Sequence, residues 1–227
     1  MIRTILFDLD GTLADTEPLH YAAFAEILRG DGVELAREEY FARLIGFNDH
    51  DCFETVLKEN GKGAGAAHLD ALIARKAVSY QEMIRNRDVM YPGAADFVRE
   101  SAARFPLMIV TGTLRAEAEM ILRRAGLRDL FVDIVAAEDV ERGKPEPDGF
   151  IAALGRLGFL LRQRDAIAPA EALVIEDTAA GIEAARRAGM RVLALKTTAP
   201  EADLADADLI RASLRDTRLD DILRRLA

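Results

Sequence analysis

Two aspartates stand two residues apart in the stretch LFDLDGT, directly after a short apolar run near the start of the chain. In extended backbone, residues two apart lie on the same side of the strand, about 7 Å from each other. An acid pair at this spacing is bound to a metal ion, shares a proton, or is solvated and chemically idle. Taken alone, Asp8 and Asp10 leave all three interpretations open.

Three further stretches carry polar groups that would suit the same site. Thr111 follows an apolar run in VTGT, Lys144 lies in GKPEPD, and Glu176 with Asp177 follows another apolar run in IEDTAAG. Each has an ordinary interpretation on its own, such as a helix cap or a solvated surface charge. Their positions beyond successive strands favour one shared site, because parallel strands end at one edge of a sheet. Four carboxylates gathered there would repel each other unless a hard divalent cation such as Mg²⁺ lay among them.

The elements that would position these residues alternate between strand and helix. Short apolar runs predict five buried strands, at 3–8, 106–112, 133–139, 171–177 and 191–197. Helical patterns lie between them at 93–104, 114–126, 149–158 and 180–190. This alternation predicts an α/β fold, with a parallel sheet covered on both faces and ligands bound beyond the carboxyl ends of its strands.

Residues 17–88 interrupt this alternation with four amphipathic helical patterns and no convincing strand. The patterns are EPLHYAAFAEILRG, REEYFARLIG, DHDCFETVLKEN and HLDALIARKAVSYQEMIRN, with a flexible GKGAG stretch before the last. We therefore predict an α/β core formed by residues 1–16 and 89–227, and an inserted helical cap over residues 17–88. The two short joins would serve as hinges for a lid.

The composition limits the class of protein. Half of the 227 residues are hydrophobic, enough for a packed core, and the net charge of −9 argues against nucleic acid or an anionic membrane as partner. There is no apolar span of 18 residues, and Cys52 is the single cysteine. We expect a cytoplasmic protein that is a monomer or weak homodimer, with neither a nucleic-acid nor a membrane partner. The apolar residues 159–161, in a long link over 157–172, pack on the sheet edge or meet a partner subunit; both remain open.

Taken in order, DLDGT, VTGT, GKPEPD and IEDTAAG, with a helical insert after the first, resemble the haloacid dehalogenase superfamily. The insert is similar to that of its beta-phosphoglucomutase-like branch, and the resemblance covers essentially the whole chain. It implies a Rossmann-like core with an inserted α-helical cap. It also implies a Mg²⁺-dependent phosphatase acting on a small phosphorylated metabolite, with a sugar phosphate as the expected class.

The resemblance also implies a role for each motif residue. Asp8 would be the nucleophile that becomes an aspartyl-phosphate, and Asp10 the general acid and base. Thr111 and Lys144 would bind the phosphoryl oxygens, and the lysine would offset the charge at Asp8. The Mg²⁺ ligands would be acidic residues of the first and last motifs: Asp8, Asp10 through its backbone carbonyl, Glu176 and Asp177. Phosphoryl transfer chiefly needs alignment and charge neutralisation, which these residue types supply.

Two other classes of protein use similar parts. Receiver domains of signalling proteins gather acids, a Thr or Ser and a Lys around Mg²⁺, but they place the acid pair side by side and lack a 70-residue cap. Dehalogenases of the same superfamily keep the nucleophile but lack an acid two residues on, because halide leaves without a proton. The presence of Asp10 therefore favours phosphate chemistry.

The sequence indicates only some of the substrate contacts in the cap. His20 and Lys76 match positions that beta-phosphoglucomutase uses near its acid/base aspartate, which suggests a contact between cap and core in the closed state. The stretch GFNDHD, residues 46–51, is the candidate specificity loop. The candidate substrate contacts are therefore His20, Lys76, Gly46, Phe47, Asn48 and His50, with Gly112 and Thr113 of VTGT. A packed or solvated role is the alternative for His20 and Lys76, and a polar interhelix turn for the loop residues.

A mutase would need a second phosphate site. The family mutase has an arginine three residues after the glycine that matches Gly46, where this chain has Asp49, and a lysine where this chain has Leu114. Arg43 or Arg115 would replace these cations only in part. The two departures favour a phosphatase, with a beta-phosphoglucomutase-type mutase as the alternative.

Overall fold

A six-stranded parallel sheet forms the centre of the computed structural model, which describes residues 1–161 and 166–226. Its strands are β1 Thr4–Phe7, β2 Leu107–Val110, β3 Phe131–Val135, β4 Ala172–Glu176, β5 Arg191–Leu195 and β6 Leu209–Arg211. Their spatial order is β3-β2-β1-β4-β5-β6, and every pairing is parallel. Phe7 is level with Ile109 of β2 and Ile175 of β4, so the motifs that follow these three strands leave the sheet at the same edge.

Nine helices accompany the sheet in the described residues. They are α1 Glu17–Gly30, α2 Arg37–Glu39, α3 Asp49–Glu59, α4 Ala66–Ile84, α5 Ala94–Ala102, α6 Arg115–Arg124, α7 Asp148–Leu160, α8 Ala179–Arg187 and α9 Leu219–Arg225. Successive residues of a strand point to opposite faces, so Phe7 packs with α5, α6 and α9 while Leu6 packs with α7 and α8. The sheet is therefore buried on both sides, as the apolar strand sequences predicted.

Helices α1 to α4 form a separate helical cap inserted after β1. Its own apolar cluster includes Phe24, Phe53 and Leu72, and α1 packs along α4. Helix α2 continues as a π-helical turn over Tyr40–Leu44. The predicted fold class, a Rossmann-like parallel sheet with an inserted α-helical cap, is confirmed.

The chain crosses between cap and sheet twice, and the two crossings lie side by side. Ala14 and Met90 form an antiparallel bridge, the Asp15 N–H donates to the Val89 carbonyl at 2.7 Å, and the Tyr91 N–H donates to Leu13 at 2.9 Å. The cap is thus joined to the core through one hydrogen-bonded pair of segments. The boundaries at residues 16 and 89 lie within this pair and stay a prediction.

The structure differs from the predicted elements in a few places. The third strand begins two residues earlier and ends at Val135, because residues 137–139 form a 3₁₀ turn. Strand β6 and helix α9 were not predicted. Phe159 is 83% exposed, so it does not pack on the sheet edge, and residues 162–165 of the predicted link lie outside the described residues. Among the described residues, no helix combines the length and apolar character needed to cross a membrane.

Candidate active site

Asp8 lies at the carboxyl end of the central strand β1, where its backbone N–H donates to the Ile175 carbonyl of β4 at 3.0 Å. Its side chain is buried, and its Oδ1 contacts the ammonium group of Lys144. Lys144 reaches this point from the loop after β3 and also donates to the Val110 carbonyl at 3.1 Å. Its Nζ lies 2.6 Å from Oε1 of Glu176. Residues from three distant segments therefore meet around one carboxylate.

Glu176 and Asp177 end β4 with two fully buried carboxylates. The Oε2 of Glu176 accepts the backbone N–H of Asp177 at 2.9 Å and that of Thr178 at 3.2 Å. A Cβ at Gly181 would lie 1.9 Å from Oε1 of Glu176, so only glycine leaves room for this carboxylate. Glu176 is thus held by the backbone of the turn that precedes α8 and by Lys144.

Asp177 lies against the turn that follows β1. Its Oδ1 accepts the hydroxyl of Thr12 at 2.7 Å, and its Oδ2 accepts the hydroxyl of Thr198. Gly11 has a φ of +80°, and a Cβ there would lie 2.2 Å from Oδ2 of Asp177. A glycine is needed at this position both for the left-handed backbone and for the close approach of the carboxylate.

The buried acids are short of positive charge. Burial raises the pKa of Asp8, and the charges of Glu176 and Asp177 raise it further against the opposing effect of Lys144. Burial and the charge of Glu176 likewise raise the pKa of Asp177. Burial lowers the pKa of Lys144, but the adjacent Asp8 and Glu176 carboxylates outweigh it and the net pKa is raised. One lysine does not balance three buried carboxylates, which is the environment that a bound divalent cation would relieve.

The acidic residues around Asp8 supply the oxygen donors that Mg²⁺ prefers. Over residues 1–161 and 166–226, no group of three or more His, Cys, Asp or Glu side chains is arranged to hold a metal ion. The Asp10 carboxylate is held by three threonine hydroxyls and His20, so its backbone carbonyl is the group that the sequence predicted as a ligand. Mg²⁺ would take oxygen donors from Asp8, Asp177 and that carbonyl, and from Glu176 directly or through water, and it usually completes such a set with water and substrate oxygens. This ligand set stays a prediction.

Asp10 is oriented by side chains from both core and cap. Its Oδ1 accepts the Thr16 hydroxyl at 2.5 Å and lies 3.3 Å from Nε2 of His20. Its Oδ2 accepts the Thr111 hydroxyl at 3.2 Å and the Thr113 hydroxyl. Burial alone would raise the pKa of Asp10, but His20 and the threonine hydroxyls outweigh it and lower that pKa. The carboxylate is therefore held ionised and fixed in orientation in this closed arrangement.

His20 connects Asp10 to a buried ion pair inside the cap. Lys76 is fully buried, and its Nζ donates to Nδ1 of His20 at 2.9 Å and to Oδ1 of Asp49 at 2.7 Å. The His20 ring stacks on Tyr80 with centroids 4.1 Å apart. Because Nδ1 accepts from the lysine, the imidazole proton lies on Nε2, where it can be donated to Asp10. A chain of contacts thus runs from Asp49 through Lys76 and His20 to Asp10.

The predicted cations of a second phosphate site are engaged elsewhere. Asp49 is paired with Lys76 and so does not present a free negative charge. Arg43 is half exposed and pairs with Glu59. Arg115 donates to Asp139 at 2.6 Å on the core surface. In the described residues neither arginine lines a cavity next to Asp8.

Two adjoining cavities lie between cap and core. The inner cavity, of about 30 Å³, is lined by Asp8 and Asp10 together with Gly46 and Phe47 of the cap loop. The outer cavity, of about 240 Å³, lies between the cap loop and the loops after β2 and β3. The two share a wall formed by Gly46, Asp49, Thr111, Gly112 and Lys144. Of the remaining candidate substrate contacts, His20 and Thr113 line the inner cavity, and Asn48 and His50 the outer.

Three residues around the acid pair were not predicted from the sequence: Thr16, Glu17 and Tyr40. Thr16 precedes α1 as a helix cap does, but its hydroxyl goes to Asp10 instead of the helix. Glu17 lines the inner cavity and accepts the Tyr40 hydroxyl at 2.7 Å. Burial and the charge of Asp10 raise the pKa of Glu17 to about 7. The order ADTEP, with polar residues before a helix-starting proline, resembles an ordinary helix start and gave no sign of these contacts.

The chain matches known proteins along most of its length. The family of haloacid dehalogenase-like hydrolases matches residues 2–189. The chain is 32% identical to validoxylamine A 7'-phosphate phosphatase of Streptomyces hygroscopicus subsp. limoneus, over 96% of this chain and 97% of that one. It is 34% identical to fructose-1-phosphate phosphatase YqaB of Escherichia coli, over 82% of this chain and 92% of the relative.

The fold also matches a solved structure of beta-phosphoglucomutase from Clostridium difficile. The TM-score is 0.87 at 21% sequence identity, over 100% of this chain and 97% of that chain. At this identity the match shows the shared fold, with its sheet and helical cap, and does not show which reaction the chain catalyses.

Proposed function

The chain belongs to the haloacid dehalogenase-like hydrolases, and on that basis we propose that it is a Mg²⁺-dependent phosphatase of a small phosphorylated metabolite, most plainly a sugar phosphate. Two relatives that it matches over most of their length are named as phosphatases of phosphorylated sugars or related compounds. The observation that carries the proposal is the pairing of buried Asp8 with Lys144, beside an Asp10 fixed by four donors.

The reaction would proceed in two halves. In the first, an Asp8 carboxylate oxygen attacks phosphorus while Asp10 gives a proton to the ester oxygen, which leaves as an alcohol. In the second, Asp10 takes a proton from water as the water attacks phosphorus, which releases inorganic phosphate and restores the Asp8 carboxylate. Asp10 must carry a proton when the ester oxygen leaves and be ionised when water attacks. Its lowered pKa keeps it ionised in the site without substrate, and the negative charge of a bound phosphoryl group would raise that pKa for the first half.

The remaining groups would stabilise the charge that the transfer develops. Lys144 already lies against Asp8 and would neutralise phosphoryl oxygens as they approach it. The Thr111 hydroxyl, now bonded to Asp10, is placed to donate to the same oxygens. Mg²⁺ held by Asp8, Asp177 and the Asp10 carbonyl would supply further positive charge.

We propose the same domain boundaries as the sequence indicated: residues 1–16 and 89–227 form the catalytic core and residues 17–88 the cap. The contact between His20 of the cap and Asp10 of the core supports a cap that completes the site on closing. The acidic net charge and the single buried Cys52 support a cytoplasmic monomer or weak homodimer whose partner is a small metabolite.

A phosphosugar mutase is the second candidate, because the fold matches a beta-phosphoglucomutase and His20 and Lys76 are present. The described residues argue against it. Leu114 lines the outer cavity where a cation would be needed, and Arg43 and Arg115 are engaged in other ion pairs.

The deciding experiment is a screen of phosphorylated metabolites for phosphate release, with Asp8→Asn as the matched control. We expect release that EDTA abolishes and Mg²⁺ restores, and none from the Asp8→Asn variant, whose circular dichroism should match that of the native protein. Turnover by Asp8→Asn, or activity that survives EDTA, would contradict the proposal. With beta-glucose 1-phosphate and a bisphosphate primer, glucose 6-phosphate forming faster than free phosphate would establish the mutase instead.

A further inference from the structure

The inner cavity is too small to hold a whole substrate. Its volume is about 30 Å³, whereas one water molecule needs roughly 10–15 Å³ of such space. With the cap in this position, the rest of a substrate whose phosphoryl group lies at Asp8 must extend beyond the inner cavity. The outer cavity, of about 240 Å³, is the adjoining space between cap and core.

Two of the five residues in the wall that the cavities share are glycines. Gly46 of the cap and Gly112 of the core lie in the walls that both cavities share. A Cβ on Gly112 would contact Asn48 at 3.9 Å, so a larger side chain there would meet the cap loop. At this shared wall the group that leaves during phosphoryl transfer would pass from the inner cavity to the outer one.

The outer cavity has an apolar floor and an acidic rim. Leu114, Val140 and Phe150 contribute apolar surface, while five carboxylates and two cations contribute charge. The two cations are already engaged: Lys144 by Asp8 and Glu176, and Arg142 by Asp148. The balance of charge is therefore negative.

Three of the rim carboxylates make no ion pair with a lysine or arginine in the described part of the chain. Glu138 accepts only the backbone N–H of Arg115, at 3.0 and 3.1 Å, and Glu141 is exposed. Asp51 interacts with Asn48 and with His50. A second phosphate in this cavity would meet these charges, whereas an ammonium group would be attracted to them.

We propose that the outer cavity binds the leaving group of the substrate, and that this group carries a positive charge, as in the monophosphate of an amine-bearing sugar or polyol. The proposal rests on the phosphatase function and names the class of its substrate. It excludes bisphosphates as preferred substrates.

Three matched compounds test the charge preference: glucosamine 6-phosphate, glucose 6-phosphate and glucose 1,6-bisphosphate. We expect kcat/KM to be about tenfold higher for the amine than for the neutral sugar, and lowest for the bisphosphate, with the difference shrinking as ionic strength rises. Glu141→Lys should reduce the ratio of amine to neutral sugar. Glu38→Lys, the same charge change on an exposed cap residue outside both cavities, should leave that ratio in place.

The size of the cavity is tested with Leu114→Phe and with acetyl phosphate, whose leaving group is only two carbons long. Filling the cavity should lower kcat/KM at least several-fold more for glucosamine 6-phosphate than for acetyl phosphate. A bisphosphate preferred over the amine, or equal losses on both compounds, would overturn the inference while phosphatase activity stands. If the native protein releases phosphate from none of these compounds, acetyl phosphate included, the proposed function itself fails.

Discussion

At the scale of single residues, buried charges dominate the site and its surroundings. Lys76 and Asp49 are both buried in the cap and satisfy each other. Glu117 on α6 is also fully buried, but neither of its carboxylate oxygens has a hydrogen-bond partner among residues 1–161 and 166–226. Such a group costs stability when it is ionised. These residues therefore offer the sharpest tests of the electrostatics.

The first prediction concerns the pH dependence of stability at Glu117. Burial and the charges of Asp49 and Asp10 raise its pKa from 4.5 to about 7, against the opposing effect of Lys76 and His20. Between these pH values the folded state keeps a proton that the unfolded state loses, so this group makes the protein less stable as pH rises towards 7. Glu117→Gln should remove that loss and raise the free energy of unfolding at pH 8 by up to ~3 kcal/mol.

Urea denaturation at pH 4 and pH 8 measures this effect. The gain from Glu117→Gln should nearly vanish at pH 4, where the carboxyl is protonated in both states. Glu100→Gln, a change at an exposed glutamate of α5, is the matched control and should show no comparable pH-dependent gain. An equal effect of Glu117→Gln at both pH values would contradict the assignment.

A second prediction concerns the stability contributed by the buried ion pair of Lys76 and Asp49. Lys76→Met leaves the Asp49 carboxylate buried without its cation and should cost roughly 3–5 kcal/mol of the free energy of unfolding. Adding Asp49→Asn removes the unpaired buried charge and should restore much of the lost free energy of unfolding. Denaturant unfolding of the single and double variants measures both effects. If the double variant were no more stable than Lys76→Met, the pair would not be the source of the loss.

At the scale of elements, the strand ends and the turns that follow them position the site. The strands could be predicted because parallel strands are buried on both faces, which gives continuous apolar runs in the sequence. The four motifs were placed correctly beyond their strands for the same reason. Strand β6 was missed because it is only three residues long, at the sheet edge, where no buried run is required.

Side-chain orientation was beyond what the sequence could indicate. Alternation in a strand puts Asp8 and Asp10 on one side, and both line the inner cavity, but the sequence did not show that Oδ1 of Asp10 would lie 3.3 Å from Nε2 of His20. The charge on Lys76 suggested a solvated helix residue, but its side chain is fully buried in the cap. One signal was available and unused: Glu117 lies four residues before Ile121, on the apolar face of α6.

The third prediction tests the turn after β1. Gly11→Ala places a Cβ in a left-handed backbone and against the Asp177 carboxylate, so it should destabilise the fold and abolish phosphate release. Gly61→Ala is the matched control, because Gly61 has a φ of +69° with open space around it. The control should lose only the backbone cost of roughly 1–2 kcal/mol and keep activity. Equal losses of stability in the two variants would show that the contact with Asp177 is unimportant.

At the scale of the whole molecule, the proposed active site lies where the helical cap meets one edge of the sheet. The inner cavity between cap and core has a volume of only about 30 Å³, so we expect the cap to move away before a substrate enters. Asn48 of the cap lies against Gly112 of the core, with the Asn48 Cβ 4.0 Å from the position of a Gly112 Cβ. That separation is within the range for a disulfide.

The fourth prediction follows from this distance. In a Cys52→Ser background, which removes the single native thiol, Asn48→Cys with Gly112→Cys should cross-link cap to core on oxidation. Turnover should stop in the oxidised protein and return when dithiothreitol reduces the bond, so the reduced form of the same protein is the control. Phosphate release at equal rates by oxidised and reduced protein would show that the cap need not open.

The paired crossings around Ala14 and Met90 restrict how that opening can occur. A single flexible tether would leave the cap free to rotate, whereas two antiparallel segments that are hydrogen-bonded to each other limit how it can move relative to the core. The cap should therefore swing along one arc and return to the same register each time. The two crossings thus fix the orientation of the cap before it closes, so His20 returns to the same position beside Asp10 each time.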